Sequence, residues 1–546
     1  MFPSEDILVS TITSQNPTAP TIGAPFHLAR SPICVTATGE CIGDGLFAGQ
    51  DYSAGEQITS IERPLIGSID TQRLKDTCAN CYVWTEGSSL GSRLYVKDGT
   101  KVQTCAGCKR FRYCSKPCQK EAWNRGHKHE CKALKPISDK EIPKAVLAAM
   151  ELLIRRKHGL IADSDWVLLC RLDTHIDDFK RNGKYGGIEL MAMGTSQFSW
   201  TQDTFSKDFV AGMYARILTN SLTIVTPTFD PLGIMVDPVL SHLNHSCDPN
   251  AFIVMDGSEA VIRTLKPIEK DEEILISYID TTNPYARRQS ELQARWFFTC
   301  RCKKCQKGAT CSEDKWAISP QNLASEWKAI ADDLIKSEAE TQSPANHVGD
   351  SRDEKRVAAL QAKAFVLYEE QQTANPLEAI EKIRVGMRLC HQSGLWPPHR
   401  QPYAALREDL ILNLLSVGKY RDAWTHSAKR YWNILPALYQ EKVHPLRVVH
   451  MWQTAMLALY LANESEPVAP GVELGLIAYA LISEVKDISQ LSHGENSAFA
   501  RSVQRKYGEI ATEMQSELGA NAGDIMSSAI KQQIALFREM SDRVEY

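Results

Sequence analysis

The rhythm of apolar and polar positions changes several times along the chain. Residues 1–30 show no periodicity and are rich in Thr, Pro and Ser, which predicts a disordered tail. From Ser31 to Asp70 short apolar runs are broken by Gly39, Gly43, Gly45, Gly55 and Pro64, the texture of short strands. Residues 143–160 carry AVLAAMELLIRR behind Pro143, an amphipathic helix with proline near its first turn, and the stretch to Asn220 stays mostly helical. From Val236 to Tyr278 the runs shorten again. FIVM and AVIRTL flank Asp256-Gly257, a hairpin signal, and EILISY follows the turn at Pro267. Beyond about residue 312 the helical period takes over. Asn375-Pro376 forms an N-cap and first-turn pair for LEAIEKIRVGMRL, and His444-Pro445 opens a helix through Ala462. The last stretch reads as an all-α domain.

Composition narrows the class. The chain has 546 residues, 43% hydrophobic and 23% charged, enough for three or four domains at about 150 residues each. A collagen-like or wholly disordered chain is excluded. Lys+Arg 62 against Asp+Glu 66 leaves a net charge of -4, so there is no global attraction to nucleic acid or an anionic membrane. Apolar runs such as Ala145 to Ile154 are too short for a bilayer, which takes about 20 residues. Met1 to Pro20 lacks a basic segment followed by an apolar one, so no secretory leader is expected. The 16 cysteines cluster: seven lie between Cys78 and Cys131, and Cys247, Cys300, Cys302 and Cys305 follow. That points to metal in a reducing compartment, nucleus or cytoplasm, with no strong nuclear localisation run in view.

Cys78/Cys81, Cys105/Cys108, Cys114/Cys118 and His127/Cys131 form four closely spaced pairs. Eight such ligands fill two tetrahedral zinc sites, leaving no position for water, so both ions are structural. Isolated buried thiols are the bland alternative, and four correctly spaced pairs argue against it. His129 stands beside His127 as a rival ligand. From Cys105 to Lys135 there are nine Lys or Arg and two Glu, a solvated face or a contact for an acidic peptide or nucleic-acid backbone. The order resembles the MYND zinc finger, together with Tyr113-Cys114-Ser115, Cys118-Gln119, Trp123, His127-Lys128 and Glu130-Cys131. The resemblance implies interleaved sites, with Cys78, Cys81, Cys114 and Cys118 on one zinc and Cys105, Cys108, His127 and Cys131 on the other. It also implies a proline-rich peptide as partner. Two departures stand out: a loop inserted around Val83 to Lys101, and Trp123 one residue further from His127 than in the family.

Leu243-Asn244-His245-Ser246-Cys247-Asp248-Pro249-Asn250 resembles the NHS-C-x-PN signature of SET-domain methyltransferases. Glu273-Ile274 leads to Ser277-Tyr278-Ile279-Asp280, similar to that family's strand ending in its active-site tyrosine. Cys300-Arg301-Cys302-Lys303-Lys304-Cys305 is similar to a post-SET zinc segment, and Gly43-Asp44-Gly45-Leu46-Phe47-Ala48 to the glycine loop that opens the domain. The whole order resembles the SET-and-MYND-domain protein lysine methyltransferases, from about Ser31 to Cys311 and more loosely to the C-terminus.

The implied architecture is an α+β multidomain chain: a tail over 1–30, the N-terminal part of SET over 31–75 and the finger over 76–135. A mostly helical SET insert follows over 136–235, then the β-rich SET core over 236–282 and the post-SET segment over 283–311. A helical TPR-like domain over 312–546 completes it. Within that domain LLSVGKYRDAWTHSAKRY, Leu414 to Tyr431, resembles a TPR helix-turn-helix with Gly418 in the turn; an ordinary helix pair is the alternative. The resemblance implies S-adenosyl-L-methionine as cofactor and a third structural Zn2+ on Cys247, Cys300, Cys302 and Cys305. It implies methyl transfer to a lysine of a protein substrate, histone or non-histone, with Tyr278 catalytic. Gly43, Asp44, Gly45, Asn244, His245 and Tyr278 would contact the cofactor, with Phe298 stacked on its adenine. Leu222 and Tyr278 would line the lysine channel, Leu222 replacing an aromatic of the family's NSF segment. Ile42 stands where relatives often carry a basic residue. The competing reading is a weakly active SET/MYND scaffold that recruits partners in transcriptional regulation; a DNA-binding regulator would leave the NHSC and post-SET motifs unexplained. Cys34, Cys41, Cys170, Cys311 and Cys390 remain as ordinary thiols.

Overall fold

The computed structural model describes residues 24–33, 43–85, 100–339, 351–372, 375–463, 468–518 and 522–546. Cys34, Cys41, Ile42 and most of the loop expected around Val83 to Lys101 lie outside them. The described residues divide into two compact units: one runs through Ile279 and adds Glu291–Lys303, and the other takes Asp280–Ser290 and continues from Lys304.

The first unit takes up part of the segment expected to be a tail. Phe26–Arg30 forms β1, antiparallel to β2 (Asp44–Ala48), with Leu28 opposite Leu46 and Arg30 opposite Asp44. The Ser31 N–H closes the pair on the Gly43 carbonyl at 3.0 Å. Local composition hid this strand, because its hydrogen-bond partner lies more than ten residues away. Next come β3 (Gln57–Ile61), β4 (Ile66–Ile69), β5 (Gln103–Thr104), β6 (Arg112–Tyr113), β7 (Leu222–Val225) and β8 (Pro231–Val236). They are followed by β9 (Asn244–His245), β10 (Ala251–Asp256), β11 (Glu259–Thr264) and β12 (Leu275–Ile276). The sheets are small: β10-β11-β3, β4-β8-β7, β5-β6, and β12 parallel to β9. The hairpin expected at Asp256-Gly257 joins β10 to β11, with Asp256 opposite Glu259.

The insert is mostly helical, as expected: its helices end at Asn220, after which LTIV and GIMV supply β7 and β8. β8 pairs with β4, Ile66 opposite Val236, so tertiary pairing draws this end of the insert into the sheet. EILISY yields only a two-residue strand, because side chains intercept its ladder. Asn250 Oδ1 takes the Leu275 N–H at 2.8 Å and His245 Nδ1 takes the Tyr278 N–H at 3.0 Å.

The helices of this unit begin with α1 (Lys116–Ala122) and α2 (Lys128–Leu134) in the cysteine-rich block. Then come α3 (Lys144–Lys157), α4 (Asp163–Arg171), α5 (Ile176–Arg181), α6 (Tyr185–Ser199) and α7 (Lys207–Asn220). α3, with Pro143 at its N-cap, packs on β4, α6 and α7 and buries Leu147, Met150, Leu152 and Leu153. α8 (Tyr285–Trp296) precedes Cys300.

The second unit is helical throughout its described residues. It contains α9 (Ser325–Ala339), α10 (Arg352–Gln371), α11 (Pro376–Ser393), α12 (Tyr403–Ser416) and α13 (Tyr420–Lys429). α14 (Leu435–Leu438), α15 (Pro445–Ala462), α16 (Leu474–His493), α17 (Ala498–Leu518) and α18 (Ala522–Asp542) follow. From α9 to α13 each helix packs on the next, as do α15, α16 and α17, while α18 returns to α13 and α16. Asn375 Oδ1 accepts the Glu378 N–H at 3.1 Å and caps α11, and His444 is the N-cap of α15, as the pattern predicts. Ala423 is buried in α13, and Trp424 stacks on Phe537 with ring centroids 5.1 Å apart. Among the described residues no helix is long and apolar enough to cross a membrane.

Candidate active site and metal centres

The structure gathers the twelve ligands into three groups: Cys78, Cys81, Cys114 and Cys118; Cys105, Cys108, His127 and Cys131; Cys247, Cys300, Cys302 and Cys305. Within each group the ligand atoms lie within 4.8 Å of one another. Cys81 and Cys114 sulfurs are 3.6 Å apart, Cys114 and Cys118 3.5 Å, Cys105 and Cys131 3.8 Å. A tetrahedral zinc with Zn–S bonds of about 2.3 Å sets its sulfurs roughly 3.8 Å apart. A disulfide needs about 2 Å. Donor chemistry and spacing therefore suit one zinc per group, and four protein ligands complete each tetrahedron.

Local structure aims these ligands. Ser115 caps α1 by accepting the Cys118 N–H at 3.3 Å, which turns Cys114 and Cys118 toward one point. Between α1 and α2, Trp123–His127 forms a π-turn, and Gly126 within it has φ +150°. A Cβ on Gly126 would meet Arg155 Cγ at 2.8 Å. A π-turn holds one residue more than an α-turn, so it absorbs the extra residue between Trp123 and His127. His127 Nε2 then lies 3.8 Å from Cys108 Sγ, while its Nδ1–H donates to Glu130 Oε2 at 3.0 Å. That carboxylate fixes the ring and leaves Nε2 for metal. His129, the rival ligand, stacks on His158 with centroids 3.6 Å apart.

The third group adjoins the strand-end tyrosine. β9 sets Asn244 beside Leu275 and His245 beside Ile276. His245 Nδ1 accepts the Tyr278 N–H, so its proton sits on Nε2, 3.3 Å from Cys247 Sγ. One imidazole thus joins Tyr278 to the third cysteine group. The Tyr278 hydroxyl donates to the Leu243 carbonyl at 2.6 Å, and its ring centroid lies 5.3 Å from both His245 and Trp296. Phe298, half-buried, lies 5.9 Å from His245 and keeps part of its ring accessible, a face that suits a planar heterocycle. Leu222 opens β7 opposite Met235, in a different sheet from β9 and β12.

Asn244 Nδ2 donates to Glu273 Oε1 at 2.8 Å and to the Asp44 carbonyl at 3.1 Å. Glu273 is 7% exposed, and its other oxygen accepts from Ser31 Oγ at 3.0 Å. Burial pushes its pKa up against the pull of these two hydrogen bonds. A Cβ on Gly45 would fall 2.2 Å from Glu273 Oε1 and 2.9 Å from Asn244 Nδ2. That glycine therefore makes room for two protein side chains. The Gly43 carbonyl serves Ser31, and the Asp44 carboxylate is paired with Arg171 at 2.5 Å and Arg30 at 3.4 Å.

Residues 43–279 match the family model described as SET domain. The "SET domain and MYND-type zinc finger protein 6" of Schizosaccharomyces pombe is 32% identical over 293 residues, 53% of this chain and 56% of that protein. Over about half of its length the chain is thus similar to SET-and-MYND-domain proteins. "Histone-lysine N-methyltransferase ASHR1" of Arabidopsis thaliana is 25% identical over 505 residues, 86% of this chain and 94% of that protein. "Histone-lysine N-methyltransferase SMYD3" of Homo sapiens is 29% identical over 249 residues, 44% of this chain and 55% of that protein. The chain thus spans about half the length of the yeast and human relatives.

The first two groups fall in the segment whose motif order resembles the MYND finger, and the third joins Cys247 to the segment that resembles post-SET. Three participants went unassigned in the sequence: Glu130, Glu273 and Ser31. Glu130 had a signal, since it stands one helical turn after His127. Ser31 and Glu273 are 242 positions apart, and no local spacing links them.

Proposed function

We propose that the chain is an S-adenosylmethionine-dependent protein-lysine methyltransferase. One observation carries the reading: the motif tyrosine and the Asn244-His245 strand meet, through the Tyr278 N–H on His245 and the Tyr278 hydroxyl on the Leu243 carbonyl. The relatives' names, histone-lysine N-methyltransferases, support a lysine of a protein as acceptor. S-adenosylmethionine, when bound, supplies a methyl group on a positively charged sulfur. The Tyr278 hydroxyl points its hydrogen at the Leu243 carbonyl, so its oxygen keeps lone pairs for polarised C–H groups. The Tyr278 and Trp296 rings offer desolvated walls, which disfavour an ammonium and keep a lysine amine neutral. Asn244 and His245 spend their side chains on Glu273, Asp44, Tyr278 and Cys247, so their part is to hold this stretch of main chain in place. Phe298 gives an adenine a stacking face, and Leu222 makes the lysine channel less aromatic. Alignment is the chief catalytic task of such a site. The basic MYND face would recruit a proline-rich peptide, in nucleus or cytoplasm.

Labelled-methyl transfer onto histones and a cell lysate, with S-adenosylmethionine binding measured alongside, tests the reading. Tyr278→Phe is expected to cut transfer by about 100-fold or more while leaving zinc content unchanged. A wild-type chain that labels no protein and binds no cofactor overturns it.

A further inference from the structure

The glycine loop brings no cation of its own. Cys41 to Ala48 reads CIGDGLFA, and Asp44 is its one charged residue. The cations at this edge come from other elements. Arg171, the last residue of α4, reaches Asp44 Oδ2 with Nη2 at 2.5 Å, and Arg30 of β1 lies 3.4 Å from Oδ1. His242 sits beside both Asp44 and Arg171. Burial holds its pKa below the ordinary imidazole range, and its Nδ1–H donates to the Pro238 carbonyl at 2.6 Å, so it stays neutral and adds no charge. Two guanidinium groups on one carboxylate leave an excess of positive charge. Arg171 also has capacity to spare: its side chain is 49% exposed. Among the described residues it pairs with no other acid, and its Nε and Nη1 take no hydrogen-bond partner.

β9 connects this cation to the aromatic face offered to a heterocycle. Asn244 Nδ2 donates to the Asp44 carbonyl at 3.1 Å, and the ring of His245, the next residue, lies 5.9 Å from Phe298. The neighbouring Phe297 packs on the insert, 5.2 Å from His175 and 4.8 Å from Phe179. Only Leu172, Asp173 and Thr174 separate His175 from Arg171, so the end of α4 reaches from the glycine loop to the Phe297-Phe298 corner. A ligand that lays a planar ring on Phe298 and runs along β9 meets Asp44 and Arg171 with its other end. S-adenosylmethionine has a heterocycle at one end and an amino acid at the other. We propose that Arg171 binds the carboxylate of that amino-acid end, so that the insert helix supplies the cation the loop lacks. Guanidinium-to-carboxylate hydrogen bonds are charge-assisted, about twice as strong as neutral ones. Asp44 aims the guanidinium, and Arg171 selects a cofactor that carries a carboxylate over one that does not. The proposal rests on the cofactor reading above, and its test separates the failure of one from the failure of the other.

The full chain is titrated calorimetrically with three ligands: S-adenosylmethionine, decarboxylated S-adenosylmethionine, and 5′-methylthioadenosine, which lacks the amino-acid end. The wild type is expected to bind S-adenosylmethionine about tenfold more tightly than the decarboxylated form. Arg171→Gln is expected to erase that preference by weakening S-adenosylmethionine about tenfold, while 5′-methylthioadenosine binds as before. Arg171→Lys keeps the charge without the planar fork and is expected to restore part of the preference. Unchanged binding of 5′-methylthioadenosine also shows that the variants are folded. Equal binding of the carboxylated and decarboxylated forms by the wild type overturns the proposal, as does a preference that survives in Arg171→Gln. Equal weakening of all three ligands in Arg171→Gln reduces Arg171 to a clamp on the loop and overturns it too. A wild-type chain that binds none of the three overturns the cofactor reading itself.

Discussion

Glu273 shows how one buried carboxylate holds a site together. It takes hydrogen bonds from Asn244 and Ser31 and fills the space that Gly45 leaves. Burial sets its pKa above the ordinary glutamate value, so the folded chain binds this proton more tightly than the unfolded chain does. Between those two pKa values the folded state carries the extra proton, and stability falls as pH rises through that window. Glu273→Gln is expected to flatten that fall while keeping an oxygen for Asn244. Glu273→Ala strands the Asn244 amide and the Ser31 hydroxyl and is expected to cost about 1–3 kcal/mol. Urea unfolding at several pH values measures both, and a wild-type profile in each variant would refute the role. The metal ligands were legible because ligand pairs sit two to four residues apart and announce themselves locally. Glu273 was not, because its partners lie 29 and 242 positions away.

At the scale of elements, the π-turn at Trp123–His127 converts an irregular spacing into a working ligand. Gly126→Ala would place a side chain at φ +150° and against Arg155. The expected cost is about 1–3 kcal/mol. It should fall on the zinc held by Cys105, Cys108, His127 and Cys131 and spare the Cys78 group, whose ligands lie outside the turn. Zinc release to a competing chelator, followed with thermal unfolding, resolves this; three equally tight ions in the variant would contradict it. Helices with clear start signals, such as α11 capped by Asn375 and α15 opened by His444-Pro445, were readable from sequence because those signals are local. β1 and β8 were not, because each becomes a strand only on meeting β2 or β4. β12 was overread, because the sequence does not show that Asn250 and His245 intercept its backbone.

Across the whole molecule, metal supplies folding energy in the first unit, and helix-on-helix packing supplies the core of the second. Elemental analysis should find about three zinc ions per chain, released together with protonation of the thiolates as pH falls. Clearly fewer would undo the assignment of twelve ligands to three groups. From the sequence alone came the cysteine groups, the order of motifs and the helical character of the C-terminal half. These are written in spacings of a few residues, and such spacings survive without knowledge of the fold. Only the tertiary structure could show that Glu273 reaches Ser31 and Asn244, or that His245 joins Tyr278 to Cys247. Those arrangements depend on side chains brought together from distant positions, and the geometry that closes them exists only once the chain is folded.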